Sequence, residues 1–107
     1  MIYVSAEVGP DGTAAVKLQD DAWELNVRAP AADFGKLRDI QHTTQPGQSL
    51  AMGRCAHAPV WWNEQDGQVN ILIGPDDVTW DAAVTVPLAT ARDIVRAVEQ
   101  ELQQASS

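Results

Sequence analysis

The chain is poor in the residues that most often carry chemistry. Its 107 residues include one cysteine, Cys55, and two histidines, His42 and His57. A lone cysteine cannot form an internal disulfide, and this set is too small for a structural zinc site unless several carboxylates contribute. No glycine-rich segment leads from a strand into a helix as a phosphate-binding loop does. We therefore expect no metal and no cofactor.

Cys55 and His57 form the one candidate catalytic pair. They are two residues apart, so on a strand both side chains would point to the same face, as a nucleophile and its base require. No acid that would orient His57 and no oxyanion-binding turn lies beside them. A free cysteine is more often a small buried apolar residue. The sequence thus predicts no catalytic residue, and we expect that the protein is not an enzyme.

Long hydrophobic runs are missing as well. None approaches the roughly 18–20 residues that a membrane helix needs. The first residues, MIYVSAEVGPDG, hold no basic region followed by an apolar one, so they do not resemble a secretory signal. The absence of paired cysteines fits a reducing compartment. The expected location is the cytoplasm.

Basic residues are scarce relative to acidic ones. Seven Lys and Arg stand against fifteen Asp and Glu, which gives a net charge of −8 and a pI near 4.4. Nucleic acid and anionic membrane surfaces would be repelled, so neither is an expected partner. The acidity either serves solubility alone or attracts a basic protein partner over a distance.

What the sequence does contain is a regular alternation of apolar and polar residues. The alternation predicts seven strands, at residues 2–8, 13–19, 23–29, 49–52, 55–62, 68–74 and 80–86. The three-residue spacing of Phe34, Leu37 and Ile40 predicts a short helix from Pro30 to about Gln41. A polar loop at residues 42–48 follows it.

A second helix is predicted after Pro87, because apolar residues recur there at helical spacing. They are Ala91, Ile94, Val95, Val98 and Leu102. Thr90 or a neighbour would cap this helix, and about four residues at its end would fray. The predicted fold is α+β in a single domain of residues 1–107. It is a mostly antiparallel sheet of six to seven strands with two helices packed on one face, in the order βββα-ββββ-α.

Residues 59–87 hold three of the four tryptophans and no Lys or Arg. Trp23 and Trp80 are in phase with apolar neighbours on their strands, so both are expected in the core. Trp61 and Trp62 are adjacent, and a strand must direct them to opposite faces. The phase of the strand sends Trp62 inward and leaves Trp61 on the outer face.

Trp61, Leu72 and Ala83 make this outer face more apolar than a solvated sheet face requires. Either the loop at residues 42–48 covers it, or it is an exposed patch that binds a partner. The stretch from Cys55 to Ala91 carries a net charge of −5, whereas the rest of the chain holds ten acids and seven bases, a net of −3. The predicted partner-binding residues are Trp61, Leu72, His57, Glu64, Asp66, Asp76, Asp77 and Asp81.

An aromatic anchor with an acidic rim suits a basic protein partner. The expected function is therefore that of an acidic inhibitor, most concretely an immunity protein against a nuclease-like toxin or a phage inhibitor of a nucleic-acid-handling defence complex. Such a protein would be a monomer or a weak homodimer. The main alternative is a structural or oligomeric module, including a secretion chaperone. The third is a small-molecule-binding domain or enzyme.

Overall fold

A seven-stranded antiparallel sheet forms the body of the protein, as seen in a computed structural model that describes residues 2–43 and 48–105. The strands are neighbours in the sheet in the same order as in the chain. They are β1 (Tyr3–Val8), β2 (Thr13–Gln19), β3 (Glu24–Pro30), β4 (Leu50–Cys55), β5 (Ala58–Gln65), β6 (Gln68–Ile73) and β7 (Ala82–Pro87). A 3₁₀ helix (Ala31–Asp39) and α1 (Ile40–Thr43) follow β3, and α2 (Leu88–Ala105) follows β7. The predicted α+β fold and element order are confirmed.

The first three strands bury one face in strict alternation. The inward residues are Ala14, Val16 and Leu18 of β2 and Leu25, Val27 and Ala29 of β3. Residues between them, such as Lys17 and Glu24, are exposed and form a long ion pair at 3.9 Å across the two strands. Period-two patterning of this kind fixes the register, because a slip of one residue would turn the apolar side chains to solvent.

The helical segment after β3 is mostly 3₁₀ rather than α, which corrects its predicted type. Phe34, Leu37 and Ile40 are all fully buried. In a 3₁₀ helix, residues three apart lie above one another, so this spacing buries one narrow stripe. Only four residues of α1 follow it.

The fourth strand contains a bulge at Gly53. The register between β4 and β5 shifts between Ala51 and Arg54, and Gly53 has a φ of 83°. A Cβ atom at Gly53 would lie 2.7 Å from the Cγ1 atom of Val27. Only glycine combines this backbone conformation with so close an approach to β3.

The long helix α2 covers the inner face of the sheet. Its buried residues are Thr90, Ala91, Ile94, Val95 and Val98, which confirms the predicted apolar stripe except for Leu102, which is 37% exposed. The helix packs mainly against β1 and the 3₁₀ helix and extends to Ala105. It begins at Leu88, so Thr90 lies inside its first turn instead of capping it. No helix of the described residues is long and apolar enough to cross a membrane.

Several predicted ends of helices and strands are wrong next to the loops. The predicted loop at 42–48 starts later, because α1 includes residues 40–43. Residues 44–47 lie outside the described part of the chain, and so does the suggestion that this loop covers the outer face. Residues 106–107 also lie outside it. The last strand starts at Ala82, and Trp80 precedes it in a loop.

Candidate functional site

The connection between β6 and β7, residues 74–81, is the most unusual surface feature of the molecule, and we call it the acidic loop. Its two ends are held together by the sheet. The N–H of Gly74 donates to the carbonyl of Pro59 at 3.1 Å, and the N–H of Asp81 donates to the carbonyl of Ile73 at 2.8 Å. The loop therefore leaves and re-enters the sheet at a narrow neck, as compact Ω-type loops do.

Asp76 orders the interior of the acidic loop. Its Oδ1 atom accepts hydrogen bonds from the backbone N–H groups of Thr79, at 2.5 Å, and Val78, at 2.8 Å. These two donors stabilise the carboxylate, Thr79 most strongly, and hold the pKa of Asp76 below its usual value. Asp76 is therefore a structural residue of the loop as well as a source of charge.

Two large apolar side chains are displayed on this loop. Val78 is 82% exposed and Trp80 is 48% exposed. The prediction that Trp80 belongs to the core is wrong, because the chain leaves strand geometry at Gly74 and the inward phase of β7 does not extend back to it. The loop also contributes Asp77 and Asp81, so an apolar surface and three carboxylates share eight residues.

Gly74 lets the acidic loop fold back closely on itself. A Cβ atom at this position would lie 2.5 Å from the Cα atom of Trp80 and 2.8 Å from the carbonyl oxygen of Thr79. Both neighbours belong to the backbone, which cannot move aside as a flexible side chain would. The position of Trp80 thus depends on the absence of a side chain at Gly74.

Trp61 supports the base of the acidic loop. It lies on the outer face, opposite Leu72 of β6, and Leu72 lies opposite Ala83 of β7, so the predicted row of three residues is present. The indole N–H of Trp61 donates to the carbonyl of Gly74 at 3.1 Å. Both Trp61 and Leu72 are half-buried, whereas Ala83 is exposed. The row of Trp61, Leu72 and Ala83 therefore lies beside the acidic loop. Trp80 of that loop is more exposed than Trp61.

A polar ladder crosses the outer face beside this row. The side-chain amide of Asn63 donates to Ser49 at 3.2 Å, the amide of Asn70 donates to Asn63 at 2.8 Å, and the hydroxyl of Thr85 donates to Asn70 at 2.8 Å. This ladder was not predicted from the sequence. The pattern that could have indicated it is a polar residue at directly opposed positions of three successive strands. Because its members bond one another, it fixes the register of β5, β6 and β7.

The predicted acidic rim is divided between the two ends of β5. Asp66 lies in the tight turn after β5 and Glu64 accepts a hydrogen bond from the N–H of Gly67 there, at 2.9 Å. Gly74, at the neck of the acidic loop, is bonded to the other end of the same strand. About six residues separate the two ends, or about 20 Å along a strand. Glu64 and Asp66 therefore do not share a surface with the loop carboxylates.

His57 lies in the tight turn between β4 and β5, not on a strand. Ala56 in this turn has a φ of 55°, and the guanidinium of Arg54 donates to the carbonyl of His57. Cys55 ends β4 and is half-buried against the core, while His57 is exposed. The expectation that Cys55 and His57 point to the same strand face is therefore wrong.

A shallow cationic pocket lies on the helical side of the molecule. It has a volume of about 240 Å³ and is lined by Arg38, Arg92, Val95, Arg96 and Glu99. Glu99 pairs with Arg38, and Asp93 pairs with Arg96 at 3.4 Å. These ion pairs offset much of the positive charge that the arginines bring.

The described residues hold no group of three or more His, Cys, Asp or Glu side chains placed to bind a metal ion. Comparisons of the chain with protein-family models, with curated proteins and with solved structures find no match. The acidic loop and the surface beside it are therefore the strongest structural indication of function.

Proposed function

We propose that the protein is a binding protein that docks a basic partner protein through the acidic loop, with Val78 and Trp80 as its apolar contacts. The single observation that carries the proposal is the exposure of these two side chains, 82% and 48%, within a loop that holds three carboxylates. Side chains this exposed contribute little to the hydrophobic core, so packing does not account for their apolar character.

Charge and exposure have separate roles in this interaction. Tryptophan is enriched among residues that dominate binding energy, because it buries a large surface at small conformational cost. The carboxylates of Asp77 and Asp81 would attract a basic surface over about 8–10 Å at physiological ionic strength. No Lys or Arg lies between residues 55 and 91 to oppose them. Together these features favour fast association followed by anchoring.

The most concrete form of this function is inhibition, in which the loop covers a basic active site of another protein. An immunity protein against a nuclease-like toxin is one such inhibitor. A phage protein that blocks a nucleic-acid-handling defence complex is another, because both targets must be basic to hold a polyanion. The cytoplasm, where either target acts, is part of the same proposal.

The proposal is tested first by affinity capture from the native host followed by mass spectrometry. Three baits are compared: the parent protein, Trp80→Ala and Tyr3→Ala. Tyr3 is 63% exposed on β1 and is the matched control for loss of an exposed aromatic residue. We expect a basic protein that the parent and Tyr3→Ala retain and that Trp80→Ala loses. Equal retention by all three baits would contradict the proposal.

Binding kinetics with the captured protein then separate the two roles. The double change Asp77→Asn and Asp81→Asn should slow association and reduce its dependence on salt, and Trp80→Ala should raise the dissociation rate about 30-fold or more. Asp76 is left intact because it orders the loop. The control is Asp21→Asn with Asp39→Asn, two exposed residues whose change shifts net charge equally. If this control slows association as much as the loop variant, the acidity acts only as overall charge.

A further inference from the structure

We propose that two copies of this chain pair through the free edge of β7, in antiparallel orientation, to form one continuous sheet across a two-fold axis at Val84. The β7 edge does not include Val78 or Trp80 of the acidic loop, and pairing through it does not depend on the proposed function. The two edge strands of the sheet differ in how far they are covered. β1 packs extensively against α2, whereas β7 packs mainly against β6 and only slightly against α2.

Within the described residues, the edge of β7 carries few of the features that normally prevent strand pairing. Its sequence, AAVTVP, contains no charged residue, and proline occurs only at its last position. Natural edge strands are usually protected by charged side chains, proline, bulges or a covering element, and of these β7 has the proline at its end. The pairing of β6 with β7 shows no register shift from Ala82 to Pro87, so this stretch of the edge is regular.

The backbone groups that face outward can be identified. The N–H of Leu88 donates to the carbonyl of Gly67, and this pair continues the β6–β7 register, so residues 82, 84 and 86 also face β6. The N–H and C=O groups of Ala83 and Thr85 must then point away from the sheet. Pro87, which has no N–H, also faces outward, as expected of proline at an edge.

A second copy can satisfy all four of these groups. In a symmetric sheet, opposed residues must lie on the same face, so a residue and its partner differ by an even number of positions. With the axis at Val84, Ala83 of one copy lies opposite Thr85 of the other. Each pair then exchanges two hydrogen bonds, and no outward N–H or C=O of these two residues is left over. Shifts of the axis to Ala83 or Thr85 leave at least one of them unpaired.

Charge also favours this contact between two acidic molecules. β7 is uncharged, and the axis at Val84 places the acidic loops of the two copies at opposite ends of the interface. Asp81, which precedes β7, would then lie near Pro87 of the other copy, beside the start of its α2. The first turn of α2 holds no acidic residue of its own, and a carboxylate near a helix N-terminus is favourable.

The register is tested by disulfide cross-linking in a Cys55→Ser background. Val84→Cys places two thiols across a non-hydrogen-bonded pair, whose Cα atoms are about 4.5 Å apart and within disulfide range. Thr85→Cys is the control on the same strand, because its Cα atom would lie about 8 Å from its own copy, too far to bridge. Tyr3→Cys is the control on the opposite edge. We expect covalent dimer under mild oxidation from Val84→Cys alone.

The affinity is tested by sedimentation of the unmodified chain over a concentration series. We expect a reversible dimer that Ala83→Asp weakens at least about tenfold, since the added carboxylates lie close to the axis. Ser5→Asp, an exposed change on the outer face of β1, should leave the dimer intact. A monomer at all concentrations up to several hundred micromolar would overturn the proposal. Equal cross-linking of the three cysteine variants, or a dimer that Ser5→Asp weakens as much as Ala83→Asp, would also overturn it.

Discussion

The two halves of the sheet present different outer faces. From β1 to β3, mostly polar and charged exposed residues alternate with buried or half-buried apolar ones, and short turns join the strands. From β5 to β7, the outer face holds half-buried Trp61 and Leu72, a polar ladder and an eight-residue loop. The inner faces of both halves belong to one core. In both halves, the alternation of apolar and polar residues predicts which face a side chain occupies. It does so only for residues within a strand, not for those in the loop between β6 and β7.

The largest expected effect on stability is a difference between Trp62 and Trp80, which the sequence predicts to lie in the core together. Trp62 is fully buried and its indole N–H donates to the carbonyl of Met52 at 2.8 Å. Trp62→Ala should reduce the free energy of unfolding by about 3–5 kcal/mol, through lost burial and an unpaired carbonyl. Trp80→Ala should change it by less than about 1 kcal/mol. Urea denaturation measures both, and similar losses would place Trp80 back in the core.

A smaller effect is expected at the bulge that joins the two halves. Gly53→Ala must accept a φ of 83° and also push against Val27, and we expect a loss of about 2–4 kcal/mol in the free energy of unfolding. Gly12 has the same φ of 83° but open space around it, so Gly12→Ala should lose only about 1 kcal/mol. The difference in denaturation midpoint isolates the steric part. Equal losses would mean that β4 moves away from β3 without cost.

The acidic loop should be perturbed without unfolding the sheet. In Gly74→Ala the new methyl group meets the backbone of Thr79 and Trp80, so we expect the loop to shift and the protein to lose about 1–3 kcal/mol. Amide chemical shifts should change at residues 75–81 and remain similar in β1 to β3. Gly67→Ala is the matched control, since a Cβ there meets nothing within 4 Å although its φ is 80°. Shift changes throughout the first half would contradict a locally folded loop.

The smallest expected effect is the titration of one aspartate in each half of the sheet, Asp11 and Asp76. The N–H of Thr13 lowers the pKa of Asp11 in the turn after β1, as the N–H groups of Thr79 and Val78 lower that of Asp76. A depressed pKa in the folded state stabilises the structure above the unfolded pKa, and this contribution is lost as the pH falls through the folded value. Amide shifts of Thr13, Val78 and Thr79 should therefore titrate below the usual aspartate value of about 3.9. Midpoints at or above that value would mean that these carboxylates do not accept the bonds in solution.

The alternation in the sequence predicted the presence of seven strands and the face of most residues within them. Trp61 and Trp62 were assigned to opposite faces, and the row of Trp61, Leu72 and Ala83 was predicted from phase alone. Period two is a property of a single strand, so it needs no knowledge of its neighbours. The three-residue spacing of Phe34 and Leu37 likewise predicted a helix, though not its 3₁₀ form.

Which acidic residues share a surface, and which tryptophan is exposed, follow from contacts between distant parts of the chain. Glu64 and Asp66 are close in sequence to Trp61, but an antiparallel hairpin carries them to the end of β5 opposite the acidic loop. Trp80 continues the inward phase of β7, but the hydrogen bond from Asp81 to Ile73 ends the strand before it. The path of a loop depends on contacts between distant residues, such as Trp80 against Gly74. Contacts between distant residues do not recur at a fixed spacing in the sequence. The alternation of apolar and polar residues therefore cannot predict them.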